Sequence, residues 1–287
     1  MTVPARVGET LARATRTLAD AGVEAPRHEA EILLGHLLGR SRAALWSHPE
    51  KSLPDGQHRR FLALCRRRAA GEPTAYLTGH REFWSLDLLV DPRVLIPRPE
   101  TEHLVEAVLA RQPKGIVRIL DYGAGSGCIA LALATEYPQA WIIALDMDGG
   151  ALAVTGQNSS RHDLQGRVQR VQARSLDALA GENWLDVLVS NPPYIRAADL
   201  SALPATVRQH EPVQALSPGL RGLEVIDSLI QGGLRLLLDA GTLALEIDSP
   251  SAAGVRERLL TSDWADVAIL PDLAGMPRVV VARRRRR

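Results

Sequence analysis

From residue 116 onward, short apolar runs rich in valine, isoleucine and leucine alternate with segments of helical periodicity. The runs are Ile116–Leu120, Trp141–Leu145, Val168–Val171, Leu185–Ser190, Thr242–Ile247, Val267–Leu270 and Arg278–Ala282. Helices are predicted through Ala134, from Ala151, over Val225–Leu238 and over Val255–Leu260. Buried strands of this length, separated by helices, imply a mostly parallel sheet with helices on both faces. Ligands of such sheets bind beyond the carboxyl ends of the strands. Asp121, Asp146 and Asn191 each follow one of these runs, so all three are expected to line one crevice.

Two motifs give that crevice its chemistry. Asp121-Tyr122-Gly123-Ala124-Gly125-Ser126-Gly127 follows the first strand and opens a helix. Its alternating glycines let the backbone turn tightly and let a ligand approach without meeting a Cβ. Gly125-x-Gly127-x-x-Ala130 also fits a dinucleotide fingerprint, and an acid at Asp146 binds ribose hydroxyls in either cofactor class. Asp121 at the entry of the loop separates the two: it repels a pyrophosphate and suits the ammonium group and loop amides around a methionine-like moiety. S-adenosylmethionine is therefore the expected cofactor.

The second motif is Asn191-Pro192-Pro193-Tyr194, at the end of the Leu185–Ser190 run. Asn-Pro pairs often mark a plain turn. Here two prolines remove two backbone donors and hold the direction of the adjoining carbonyls. The Asn191 amide oxygen and the Pro192 carbonyl can accept both hydrogens of one planar nitrogen, and Tyr194 can cover the flat face of the group so held.

The chain has 287 residues, enough for a large domain and a small one. No window approaches the ~18 apolar residues of a membrane span, and Met1-Thr2-Val3-Pro4-Ala5-Arg6 carries no signal-peptide core, so a cytoplasmic location is expected. Cys65 and Cys128 lie far apart without metal-ligand spacing, which predicts reduced thiols and no metal. The formal charge is +1, and Arg283 to Arg287 supply more than all of it. The slightly acidic remainder is a poor sequence-independent nucleic-acid binder. Before residue 70, Val7, Leu11, Ala14 and Leu18, then Ala30, Leu33, Leu34, Leu37 and Leu38, then Ala43 to Trp46, then Phe61, Leu62, Leu64 and Cys65 predict four short amphipathic helices, the last capped by Asp55. Arg59, Arg60, Arg66 and Arg67 share one face of that last helix, most simply a solvated one. Tyr76 to Val90, broken at Gly79, predicts a hairpin.

Taken together, these segments closely resemble the HemK/PrmC family, the protein-(glutamine-N5) methyltransferases that modify class I peptide-chain release factors. The resemblance rests on Gly71 to Gly79, Glu82-Phe83-Trp84, Leu95 to Glu102, the glycine loop, Val189 to Ile195, and Asp272 to Gly275 ahead of Arg278-Val279-Val280. It implies an N-terminal helical bundle for substrate recognition over residues 1–72, a β-hairpin linker over 73–95, and a catalytic domain over 96–287. That domain is expected to be α/β, a class I S-adenosylmethionine-dependent methyltransferase with a Rossmann-like seven-stranded sheet and an antiparallel last strand. Gly123, Ala124, Gly125, Ser126 and Gly127, with Asp121, are implied to cradle the methionine part of the cofactor and Asp146 its ribose. Asn191, which also adjoins the cofactor, Pro192, Pro193 and Tyr194 are implied to hold the glutamine amide of the Gly-Gly-Gln loop, with Asn191, Pro192 and Tyr194 catalytic. Arg98 and Glu100 look like part of a wall of the same pocket.

The chain departs from the family pattern at four places. Ala124 replaces a usual threonine, and Ala173-Arg174-Ser175 stands where an aspartate near the adenine amine is usual, which places Ser175 on the cofactor's adenine side. Ser217 to Gly222 replaces a glycine-rich stretch with an acidic residue, and Asp248-Ser249-Pro250 replaces a glycine-containing turn. Two other readings of the chain are an N6-adenine or other exocyclic-amine methyltransferase acting on nucleic acid, since a flipped base offers the same planar amine, and a non-catalytic protein that has lost its cofactor. The expected partner is a class I release factor, with no nucleic acid and no membrane.

Overall fold

A computed structural model of the protein describes residues 5–113, 115, 117–217, 219 and 222–286. The first four residues, Ile116 at the predicted start of a strand, Pro218, Leu220 and Arg221 of the altered stretch, and Arg287 lie outside the described residues. The chain divides into two units, one made of residues 1–80 with 204–210, the other of 81–203 with 211–287.

In the first unit, α1 (Val7–Asp20), α2 (Pro26–Leu38), α3 (Arg42–Ser47) and α4 (Asp55–Ala69) enclose a core that includes Leu18, Leu33, Leu34 and Phe61. Asp55 is the first residue of α4 and makes no cap, because Pro54 already occupies the N-cap position. Arg67 of the basic face is tied to Glu72, and Arg68 to Glu29. The Tyr76–Thr78 run is helical and not a strand: α5 (Thr74–Thr78) starts after Pro73, the Thr78 hydroxyl bonds back to the Thr74 carbonyl at 3.0 Å, and Gly79 ends the helix at φ 76°. The hairpin is then confined to β1 (His80–Phe83) and β2 (Leu86–Leu89).

The larger unit holds α6 (Glu102–Arg111), β3 (Arg118–Tyr122), α7 (Cys128–Glu136), β4 (Trp141–Asp146), α8 (Gly149–Arg161), β5 (Val168–Gln172) and β6 (Leu185–Ser190). After α9 (Ala205–His210), which belongs to the first unit, come α10 (Glu224–Leu236), β7 (Leu237–Glu246), α11 (Ala252–Leu260), β8 (Trp264–Pro271) and β9 (Pro277–Arg284). The seven strands lie in the order β5-β4-β3-β6-β7-β9-β8, and β9 alone runs against its neighbours. Strand order reverses between β3 and β6, where a parallel sheet opens its ligand crevice.

Side chains sort to the two faces with the period of two that a strand dictates. Ile119, Ile142, Val187, Val189 and Val281 meet α6 and α7 on one face. Leu120, Ile143, Leu188, Leu245 and Val280 meet α10 and α11 on the other, around the buried Trp264. Burial of each such side chain contributes about 1.5–3 kcal/mol.

Helix α8 carries two buried polar residues that brace the crevice from outside. Asn158 accepts from the Leu89 amide at 2.7 Å and donates to the carbonyls of Leu89, at 3.0 Å, and Ser126, at 2.9 Å. The Thr155 hydroxyl donates to the Gly125 carbonyl at 2.8 Å. One helix thereby fastens both the hairpin strand β2 and the glycine loop. Asn158→Ala strands the Leu89 and Ser126 groups in a dry environment, so it is expected to lower unfolding free energy by at least about 2 kcal/mol, read from urea unfolding.

Candidate active site

The glycine loop lies between β3 and α7 with Gly123, Gly125 and Gly127 at φ 75°, 56° and 84°, a region only glycine enters freely. The amides of Gly123 and Ala124 both donate to the Leu145 carbonyl, at 2.8 and 3.0 Å, which pins the loop to β4. At Gly127 a Cβ would come within 2.9 Å of the Thr155 methyl. At Gly123 a Cβ would meet no protein atom within 4 Å, although the residue lines a cavity; the space it leaves belongs to that cavity.

Two carboxylates stand under and beside the loop. Asp146 closes β4 and accepts from the Gly125 amide and the Asp148 amide, each at 2.9 Å. Each of its oxygens retains acceptor capacity towards the cavity. Burial raises its carboxyl above the usual range, against the pull of those amides. Asp121 does not close its strand. β3 continues to Tyr122 in register with Leu145, so Asp121 sits inside the ladder, wholly buried, with Oδ2 accepting from the Ala130 amide at 3.0 Å and Oδ1 unpartnered. Burial, reinforced by the charge of Asp146, pushes its carboxyl up to about 7.

The Asn191-Pro192-Pro193-Tyr194 turn leaves β6 beside this loop. Asn191 donates its Nδ2 to the Thr101 hydroxyl oxygen at 3.2 Å, which directs Oδ1 the other way. The Tyr194 hydroxyl points back to Glu246, at the end of β7, at 3.5 Å. Burial raises both the Tyr194 phenol and the Glu246 carboxyl, the latter against the Thr101 hydroxyl and Arg278, which pull it down.

The cavity has two lobes, of about 110 and about 40 Å³, which share Leu95, Gly123, Gly125 and Asn191. Asp146 and Pro193 line the larger lobe; Arg98, Ala124 and Ser126 line the smaller. The Arg98 guanidinium is held by the buried Glu211 at 2.5 Å. Asp121, Gly127, Ser175, Pro192, Tyr194 and Glu100 line neither lobe. Asp121 is sealed beneath the loop, Gly127 caps α7, Pro192 is buried, Tyr194 turns to Glu246 and Glu100 is exposed. Ser175 bonds within its own turn, donating to Asp177 at 2.8 Å and accepting from the Asp177 amide. The Arg174 carbonyl reaches towards the site by accepting from the Tyr122 hydroxyl at 2.7 Å.

Sequence reasoning missed Arg93, Val94, Met147, Asp148, Pro212, Gln214, Ala215 and Val225, which complete the larger lobe. Gln214 and Ala215 belong to a connecting segment without periodicity, and no local signal marks them. Asp148 does carry a signal, since it caps α8 by accepting from the Gly150 amide at 2.7 Å. Among the altered segments, Asp248 caps the short turn Ser249–Ser251 through the Ser251 amide.

Two family models match the chain: the PrmC N-terminal domain over residues 9–79 and the methyltransferase small domain over residues 100–215. The release factor glutamine methyltransferase of Moorella thermoacetica is 44% identical over 279 residues, spanning 96% of this chain and 98% of the relative. That of Koribacter versatilis is 39% identical, spanning 94% and 96%, and that of Escherichia coli 41%, spanning 91% and 93%. Among solved structures, a methyltransferase from Pyrococcus furiosus has a TM-score of 0.53 at 15% identity, covering 80% of this chain and 99% of its own. The hMettl16 catalytic domain has a TM-score of 0.55 at 17% identity, covering 79% and 81%. At those identities the likeness shows a shared class I methyltransferase fold.

The raised Asp121 carboxyl makes stability depend on pH with a definite sign. The carboxyl is protonated in both states below the ordinary carboxylate range, the cost of burying its charge grows as pH rises, and the cost is complete above about 7. Asp121→Asn keeps an acceptor for Ala130 and removes the charge. The midpoint of the ligand-free variant is therefore expected to climb relative to the parent between pH 4 and 7 and then level off, by roughly 5 °C, read from thermal melts across that range.

Proposed function

The chain belongs to the release factor glutamine methyltransferase family, and from that premise we propose that it methylates the side-chain nitrogen of the glutamine in the Gly-Gly-Gln motif of class I peptide-chain release factors, with S-adenosylmethionine as methyl donor. The observation that carries this reading is Asn191, placed where the two lobes meet, with its Nδ2 engaged by Thr101 and its Oδ1 left to receive a donor.

The residues present fit the cofactor. Gly123 leaves open space where a side chain would stand, and Asp146 keeps acceptor capacity for ribose hydroxyls. Asp146 and Asp148 line the larger lobe with carboxyl groups, which favours a cation over a pyrophosphate. When bound, S-adenosylmethionine supplies an electrophilic methyl group on a positively charged sulfur.

The nucleophile is an amide nitrogen, weak because its lone pair is delocalised into the carbonyl. Asn191 Oδ1 and the Pro192 carbonyl accept its two hydrogens, favour the pyramidal nitrogen formed during attack and hold it in line. Tyr194 covers the flat face of the amide, and Pro193 closes the side of the larger lobe. No strong base is required, because methylation makes the nitrogen's proton acidic and it then leaves to water. Catalysis is orientation together with electrostatic stabilisation. Arg98, fixed by Glu211, and Glu100 contact the loop that carries the glutamine, and the N-terminal unit contributes to gripping the release factor.

Incubation with labelled cofactor and purified release factor, followed by mass spectrometry, is expected to show one added methyl on the Gly-Gly-Gln peptide; an unlabelled peptide would refute the reading. Asn191→Ala is expected to lower kcat by roughly 10²–10³ while cofactor affinity by calorimetry stays near that of the parent, by analogy with the loss of a preorganised donor.

A further inference from the structure

The Asn191 to Tyr194 turn cannot be anchored through its own prolines. Pro192 and Pro193 have no amide hydrogen to give. Main-chain bonds that hold the turn lie just downstream of it. The Ile195 amide donates to the Leu216 carbonyl and the Ala197 amide to the Gly219 carbonyl, each at 3.0 Å. Arg196, between the two donors, is paired with Gly219 in a parallel bridge. Donors two residues apart are the spacing of a strand, so Ile195 to Ala197 is clamped as a short piece of parallel ladder outside the main sheet. Ala215, immediately before Leu216, lines the larger lobe.

Gly222 is buried beside the same stretch at φ 80°. A Cβ there would lie 2.7 Å from the Tyr194 carbonyl oxygen, 3.0 Å from Arg196 Cγ and 3.5 Å from the Arg196 amide nitrogen. The Arg196 side chain is exposed and could swing away. The Tyr194 carbonyl could not, because it shares a rigid peptide plane with the Ile195 amide, which Leu216 already holds. That plane is fixed on one side by a hydrogen bond and closed on the other by a glycine. The left-handed φ alone would also admit asparagine. The 2.7 Å approach leaves room for glycine alone.

We propose that Leu216, Gly219 and Gly222 are positioning residues for methyl transfer: two carbonyls and one bare Cα hold the backbone that follows Tyr194, and through it keep the Asn191 oxygen and the Pro192 carbonyl aimed at the substrate's N–H groups. The proposal rests on the reading that this turn holds the glutamine amide. None of the three reaches the reacting atoms on this account. Both glycines of the stretch that departs from the family pattern thereby gain a task, which is to let main chain meet main chain behind the acceptors.

Gly222→Ala sets a methyl group against the Tyr194 carbonyl, and Gly222→Asn adds the same Cβ while suiting the left-handed φ. Ala197→Pro removes one of the two hydrogen bonds and little else. Ala197 is exposed and opens the short 3₁₀ turn Ala197–Ala202, and Arg196 before it has the φ of −62° and ψ of 144° that a following proline requires. With the full chain and a release factor as substrate, both Gly222 variants are expected to lower kcat by roughly a hundredfold and Ala197→Pro by about tenfold, the scale set by misplacing a reacting group by about 1 Å. The cofactor dissociation constant by calorimetry, and the melting temperature of Ala197→Pro, are expected to stay close to the parent's. Parent-like kcat in Ala197→Pro would overturn the proposal. So would a Gly222→Asn that turns over like the parent, since the backbone angle alone would then account for the glycine. Cofactor affinity lost in step with kcat would overturn it as well, by assigning these residues to the cofactor cavity. Asn191→Ala measured alongside separates the two levels: parent-like turnover in it sinks the role of the turn itself, whereas a slow Asn191→Ala beside a parent-like Ala197→Pro sinks the backbone support alone.

Discussion

Two amide hydrogens, from Gly123 and Ala124, end on a single carbonyl oxygen, that of Leu145. This junction ties the loop after β3 to the end of β4, and the rest of the site is measured from it. It sets Gly125 against Asp146, and places the open face of Gly123 towards the larger lobe. On the other side of β3, β6 is in register through Leu188 and Val189, so the chain leaves the sheet at Asn191 within the same cavity. A shift of β3 against either neighbour by one residue would turn its side chains to the opposite face and dissolve the arrangement.

Buried polar groups crowd this end of the sheet. Asp121 Oδ1, Ser126 Oγ and Glu246 Oε2 are all without partners, yet the strand interiors a few residues away are apolar on both faces apart from Thr242 of β7. Each is a stability cost that packing does not require. Their clustering at the carboxyl ends of β3 and β7 and in the glycine loop is what a chain shows when it reserves acceptors and negative potential for a cationic ligand and an amide. The leucines and valines at the centre of the sheet offset that cost.

Much of this was legible in the sequence because it is written in short-range patterns. The length of each apolar run and its β-branched content predict the strands, and strand order alone brings Asp146 and Asn191 to one crevice. What escaped is written in contacts between distant residues. Asn158 looks like an ordinary polar position on α8, and only the fold reveals that it bonds to Leu89 and Ser126. Glu246 ends an apolar run as a surface residue might, and nothing nearby in sequence indicates Tyr194 as its partner. Ser175 illustrates the converse. Its position matched a cofactor contact, but its hydroxyl is satisfied by Asp177 two residues on, a local competition that a motif does not register. The Tyr76–Thr78 run reads as β-prone, but a preceding proline and a following glycine frame it as a helical turn.

Residues 204–210, including α9, belong with the first eighty residues and not with the strands on either side of them. Synthesis proceeds from the amino end, and domains generally fold as they emerge. For this chain the order is interleaved: residues 204–210, which group with the first eighty, are made only after β3 to β6. The apolar core of the helical bundle is nevertheless drawn from residues before Gly79 alone, and α9 adds no buried residue to it. A fragment cut after residue 80 would lack a piece of its own unit. The two units are therefore interleaved in the order of their synthesis, and the second is divided in sequence by a short segment that groups with the first.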